Sequence, residues 1–262
     1  MSRRVTIVVL GLILVVVAVG AFLVWPRGTS EVKPEAALKD FRERATSTTA
    51  HHDDEDSATK LPAPGVYTYS ATGTETVKLG PLPEEQRPLP ESVTAVAVAA
   101  GADCFDFTVN YFAEHTEDSR WCDTDGALSW ESHQKHQKVG ALSATATITC
   151  DPKVIRTPTG TPQALECSLE LSGGPMAVST QLRGGTTVGE AAELEVGGES
   201  IEAVPVTLDF DVEGTVSGKW VETIWWSDEN LPVKMERNFD QSGAVRYNEQ
   251  TTLSLSSLSP TG

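Results

Sequence analysis

Val204, Val206, Leu208, Phe210 and Val212 occupy every second position, with Thr207, Asp209 and Asp211 between them. A period of two marks a strand with one buried and one wet face, because successive side chains leave a pleated strand on opposite sides. The same period recurs from Gly65 onward. Tyr67 and Tyr69 share a face, as do Phe105, Phe107, Val109 and Tyr111. Ala144, Ala146, Ile148 and Cys150 form another such face. Met176, Val178 and Leu182 continue the pattern, with Thr180 interrupting it. Leu231, Val233, Met235 and Phe239 follow, with Arg237 as the exception, and Val245, Tyr247, Leu253 and Leu255 come last. One apolar and one polar face per strand implies antiparallel pairing with one side toward a core. The pattern predicts a mainly β chain: a curved antiparallel sheet, half-barrel or sandwich, of about eight to eleven strands.

Turn residues punctuate it. Thr72-Gly73-Thr74 is expected to separate the first two strands, and Gly197-Gly198 reads as a hairpin. Asp228-Glu229-Asn230 breaks the chain before Leu231-Pro232, and Gln241-Ser242-Gly243 ends the next strand. Residues 188–194 are the best candidate for a short helical turn. Upstream, PEAALKDFRERA from Pro34 predicts a short helix with proline near its first turn.

Residues 5–24 form an uncharged apolar run closed by Trp25. Twenty helical residues span roughly 30 Å, the thickness of a bilayer's hydrocarbon core. Arg3 and Arg4 precede the run, so the positive-inside bias puts residues 1–4 in the cytoplasm and Trp25 at the outer interface. The rival reading is a cleaved signal peptide ending at Ala18-Val19-Gly20. The apolar run continues through Phe22, Leu23, Val24 and Trp25, however, beyond the length of about 7–15 residues usual for a secretory segment. The expected organisation is a cytoplasmic stub (1–4), one transmembrane anchor (5–25), a flexible stalk (26–62), an extracytoplasmic β domain (63–258) and a tail (259–262). The protein is then single-pass in the cell membrane.

Four cysteines, Cys104, Cys122, Cys150 and Cys167, are an even number in an oxidising compartment and predict two disulfides. Three connectivities are open. Sequential pairing closes two short loops and suits adjacent hairpin strands. Cys150 and Cys167 each share parity with apolar neighbours, so both sulfurs can face a core, whereas Cys104 lies opposite Phe105 and Phe107. Zinc is the competing explanation, but no CxxC or nearby histidine spacing supports it.

The net charge of −17 argues against nucleic acid as a partner, since phosphate binding needs basic surface. No nucleophile elbow, P-loop, dinucleotide fingerprint or zinc-protease motif occurs. His133 and His136 point to opposite faces if they lie on a strand. His115, beside Glu114, Glu117 and Asp118, reads as a turn residue. His51-His52-Asp53-Asp54-Glu55-Asp56 reads as a solvated linker. Asp209, Asp211 and Glu222 could supply a carboxylate pair of the glycosidase type. No catalytic residue, metal ligand or cofactor is assigned. Trp220, Trp225 and Trp226 are the candidate ligand-binding residues: Trp220, Glu222, Ile224 and Trp226 share one face, and Trp225 lies on the other.

The stretch WWSDENLPVKME, from Trp225 to Glu236, resembles a strand–turn–strand of extracytoplasmic lipoprotein-carrier-like proteins. GVYTYSATG, from Gly65 to Gly73, resembles the first strand of membrane-anchored actinobacterial β-rich proteins of unknown function. The resemblance implies a curved half-barrel that cradles acyl chains, and it assigns no functional residue. The expected function is a non-catalytic envelope protein binding an apolar ligand or another envelope protein. The alternatives are a cell-wall glycan enzyme using paired carboxylates, or a sensor ectodomain with a membrane partner.

Overall fold

The computed structural model describes residues 29–47, 60–79, 83–173, 178–243 and 245–262. Residues 5–25, the acidic linker and Met176 lie outside the described residues. Among those described, no helix is long and apolar enough to cross a membrane.

Among the described residues, one helix, α1 (Pro34–Ser47), precedes the strands. Glu35 in its first turn and Arg44 in its last complement the helix dipole. The strands are β1 (Gly65–Leu79), β2 (Glu85–Pro88), β3 (Ser92–Ala99), β4 (Cys104–Phe112), β5 (His115–Thr124), β6 (Ala127–Val139), β7 (Leu142–Asp151) and β8 (Val154–Arg156). They continue with β9 (Gln163–Ser172), β10 (Val178–Val188), β11 (Ala192–Val196), β12 (Glu199–Gly214), β13 (Val216–Trp226), β14 (Pro232–Gly243) and β15 (Val245–Leu255).

The expected half-barrel or sandwich is corrected. Neighbour pairs with neighbour in the order β10-β9-β7-β6-β5-β4-β3-β1-β15-β14-β13-β12, and β12 then pairs back to β10, from Thr180↔Gly214 to Val188↔Val206. The result is a closed, antiparallel, twelve-stranded barrel, with β2, β8 and β11 paired outside the ring. Closure removes the exposed edges that a half-barrel must protect. Gly184 faces Phe210 across this seam, where a Cβ on Gly184 would come within 1.8 Å of the Asp209 carbonyl oxygen. Only a bare backbone lets the two strands approach there.

Two local expectations also change. Gly73 lies inside β1, not in a turn: it pairs with Thr251, and a Cβ there would sit 2.0 Å from the Gln250 carbonyl oxygen. Its φ of 122° is the glycine-favouring region, so the residue serves close strand approach. Residues 188–194 contain the end of β10 and the start of β11, with no helical turn.

The alternation sorts side chains into an apolar interior and a polar exterior. Thr207, Asp209 and Asp211 face outward on β12, and Glu236, Asn238 and Asp240 do so on β14. A barrel embedded in lipid carries the opposite arrangement, with an apolar outer band. Helix α1 covers the outside of β1 and β3. Ala37 packs on Val66, Val96 and Val98, flanked by Leu38 and Phe41. Arg44 fastens its far end through Thr108 (2.7 Å) and Asp118 (3.2 Å). This part of the expected stalk is thus docked on the wall.

Both disulfides form between directly opposed residues of paired strands, Cys104–Cys122 across β4/β5 and Cys150–Cys167 across β7/β9. Cys150 and Cys167 face the core, while Cys104 is on the opposite side from Phe105 and only half-buried.

Candidate ligand-binding site

The barrel has two unlike ends. At one, hairpins join β4/β5, β6/β7, β12/β13 and β14/β15. At the other, the chain enters at Gly65, and Val66 bridges Thr261 near the C-terminus. Behind the hairpin end lies a cavity of about 90 Å³. Strand register orders its wall by depth. Val139 pairs with Leu142 nearest the hairpins, Gln137 with Ala144 next, Lys135 with Ala146 deeper, and His133 with Ile148 deepest. Val178, Val245 and Leu171 complete the apolar rim, while Trp220, Arg237 and Glu117 stand at the floor. A smaller cavity of about 30 Å³ lies beyond that floor, walled by Trp121, Trp130, Trp226 and Ile224. Glu117, His133 and Arg237 line both, so they form a polar diaphragm across the barrel.

The diaphragm is a buried ionic network contributed by strands on opposite walls. Arg237 of β14 reaches Glu117 of β5 at 2.6 Å, Glu222 of β13 at 2.7 Å and Glu249 of β15 at 3.2 Å. Lys135 of β6 sits between Glu117 (2.8 Å) and Glu249 (2.7 Å). The Tyr247 hydroxyl donates to Glu249 at 2.7 Å and also lies 3.0 Å from Glu75, and Thr251 donates to Glu249. His115, stacked on Tyr111, contacts Glu75 through Nδ1 at 2.7 Å and Glu117 through Nε2 at 3.0 Å. Arg87 of β2 closes the network toward the hairpin end, pairing with Glu75 and Glu85, both at 3.0 Å, and donating to the Lys138 carbonyl.

Each ionisation follows from its neighbours. Burial alone would raise the Glu117 carboxyl, but the Arg237 and Lys135 cations outweigh it and hold it well below the usual carboxylate range. Burial likewise opposes ionisation of Glu249, and Lys135 and Arg237 reverse the effect. Glu75 is lowered against burial by His115, Lys135 and Arg87. Glu222 goes the other way: burial raises it, and its one cation, Arg237, does not compensate. His115 rises despite burial and Lys135, because Glu75 and Glu117 flank it. His133 has no such flank, and burial depresses it to about 4. Its Nδ1 shares a hydrogen bond with the Ser119 hydroxyl at 2.8 Å.

Of the candidate tryptophans, Trp220 and Trp226 point inward and are almost fully buried. Trp220 stacks on Phe239 at 5.4 Å and Trp226 meets Trp121 edge-on at 5.0 Å. Trp225 is on the outer wall, under the Lys234 ammonium at 4.5 Å, so it does not join the other two. The indole N–H groups of Trp130, Trp220 and Trp226 and Arg237 Nε have no hydrogen-bond partner among the described residues.

The proposed carboxylate pair is not assembled. Asp209 and Asp211 are solvated and share Lys219 outside, whereas Glu222 is inside. His133 faces the interior and His136 the exterior, beside Asp118 and Thr145. Among the described residues, no group of three or more His, Cys, Asp or Glu side chains is placed to hold a metal ion. No protein-family model, curated protein or solved structure matches the chain.

Proposed function

We propose that this chain is a membrane-anchored, extracytoplasmic binding protein that holds an apolar ligand inside its barrel and performs no catalysis. The observation that carries this reading is the cavity behind the hairpin end, walled by Val139, Ala144, Ala146, Ile148, Leu169 and Val178. Concave apolar space with a few fixed polar groups is the usual form of a small-molecule site. A core built only for stability would be packed to crystal-like density, with few voids larger than a water. The anchor rests on Arg3, Arg4 and the apolar residues after them. The outer compartment rests on four cysteines all engaged in disulfides.

An enzyme acting through paired carboxylates is the weaker reading. The interior carboxylates Glu117 and Glu249 are each held by two cations, Arg237 and Lys135. They are therefore poor bases, and Asp209 and Asp211 are exposed on the outer wall, paired with Lys219.

Native mass spectrometry of the full chain, taken from its own membrane in mild detergent, tests the proposal. The expected spectrum contains a bound amphiphile that disappears in Ala146→Trp, which fills the cavity. A wild-type spectrum with no adduct, and no uptake of added long-chain probes, overturns it.

A further inference from the structure

The end of the barrel away from the apolar cavity carries an open cleft of about 590 Å³, a size usual for small-molecule sites. Its walls come from β8, the β5/β6 and β13/β14 turns, residues 157–160, Val188 of β10 and Val204 of β12. Asn230, in the β13/β14 turn, organises it. Its φ of 54° is a left-handed conformation that asparagine tolerates. Fully buried, its side chain donates to Asp123 and to the Lys60 carbonyl, both at 2.7 Å, and accepts from Arg156. Asp123 is thereby satisfied, since Asn230 serves one carboxylate oxygen and the Gly126 N–H the other, at 2.9 Å. Asp228 takes Lys60, and Glu202 is exposed. Arg156 is different. Among the described residues its side chain makes one hydrogen bond, to Asn230, and no ion pair. Its Nε and Nη1 are left over and, unlike Nε of Arg87 and Arg237, are not sealed from solvent. Burial opposes its charge more than the nearby Asp123 and Asp228 support it. A half-buried cation without an ion-pair partner favours an incoming anion.

We infer that this cleft binds a small organic monocarboxylate, its carboxylate held by the spare N–H groups of Arg156 and its apolar body lying against Pro158, Val188 and Val204. The planar guanidinium suits a planar carboxylate. The surroundings argue for one negative charge rather than two. With Asp123, Glu202 and Asp228 around a single uncommitted cation, a dianion such as phosphate would meet surplus negative charge. A cationic ligand would meet Arg156 itself. The apolar body has a place because Val188 and Val204 are only partly buried and Pro158 is exposed. This site is separate from the apolar cavity and does not depend on the ligand proposed there.

Isothermal titration calorimetry of the full chain in mild detergent, at low ionic strength and pH 7.5, tests this with benzoate, benzamide, benzylamine and inorganic phosphate. Benzoate is expected to bind at least tenfold more tightly than each of the other three. Arg156→Gln is expected to remove that advantage. Arg156→Lys should keep only part of it, because the charge stays while the planar donors go. Arg183→Gln, which breaks an exposed pair on the outer wall, should change nothing. If benzamide equals benzoate in the wild-type protein, the anion is refuted. If phosphate equals or exceeds benzoate, the monocarboxylate is refuted. Undiminished benzoate affinity in folded Arg156→Gln, or in Arg156→Lys should the first variant not fold, refutes the role of Arg156. No benzoate binding at millimolar concentration refutes the site, whatever the cavity at the other end holds.

Discussion

Arg237 is the residue on which the interior turns, because one guanidinium contacts Glu117, Glu222 and Glu249 at once and holds the charges of Glu117 and Glu249. Removing one partner of a buried ionic group leaves uncompensated charge and costs about 3–5 kcal/mol. Arg237→Leu should therefore lower stability by about that much in urea unfolding, whereas Glu222→Gln should cost far less, because burial already favours its protonated form. A loss below about 1 kcal/mol for Arg237→Leu would place the pairs in the weak, solvent-screened class. His133 makes a second prediction. The unfolded ring takes a proton near pH 6.5, but the folded interior resists until about 4. The unfolded state binds more protons in that window, so stability falls as pH drops through it. The difference amounts to roughly 3 kcal/mol at 1.36 kcal/mol per pH unit. His133→Gln should lose that part of the slope between pH 6.5 and 4 in otherwise identical denaturant titrations. An unchanged slope would mean that the ring is already protonated in the fold. These residues were only half legible beforehand. Arg237 and Thr180 stood out as breaks in apolar faces, and Glu249 and Thr251 are the polar members between Tyr247 and Leu253. Read one strand at a time, such breaks look like noise. They acquire meaning only when closure brings Arg237, Glu117, Lys135 and Glu249 to one level of the barrel from separate strands.

Individual strands were the readable unit, since periodicity is local and closure is not. The alternation from Val204 to Val212 became β12, the Gly197-Gly198 hairpin joined β11 to β12, and both cysteine pairs fell between adjacent strands. Gly73 was misread because a glycine in a turn and a glycine under a crossing backbone share the same local signal. Only the pairing of β1 with β15 on one side and with β2 nearby on the other distinguishes them. Half-barrel and closed barrel likewise share every local pattern and differ at a single seam, β10 with β12. The two disulfides offer a test of this placement. Their loops are of similar length, with sequence separations of 18 and 17, so chain entropy gives each a similar contribution of about 3 kcal/mol. Their access to reductant differs, because Cys150 and Cys167 are buried in the core while Cys104 is half-exposed on the other face. Graded phosphine reduction followed by alkylation and peptide mapping should label Cys104 and Cys122 well before Cys150 and Cys167. Simultaneous labelling would indicate that the wall opens cooperatively before either bond is reached.

Over the whole molecule, the charges fall into two populations separated by the wall. Inside, cations and carboxylates are paired at hydrogen-bonding distance and shielded from solvent. Outside, among the described residues, acidic side chains are in excess, in keeping with a net charge of −17 for the chain, and exposed pairs such as Arg183–Glu213 and Arg246–Glu84 are scattered over the surface. Salt should act on these populations differently. Raising ionic strength from 10 to 150 mM shortens the Debye length from about 30 Å to about 8 Å. That weakens repulsion among the outer carboxylates, which opposes the compact state. It barely reaches the buried pairs, which mobile ions cannot approach. The exposed pairs lose a little, but each is worth only about 0–1 kcal/mol. Relief of repulsion therefore dominates, and sodium chloride over this range should raise the thermal midpoint at pH 7.5 by a few degrees in scanning calorimetry. A midpoint that fell with salt would require stabilising ion pairs to lie within reach of solvent. That would contradict the burial of the Arg237 and Lys135 network.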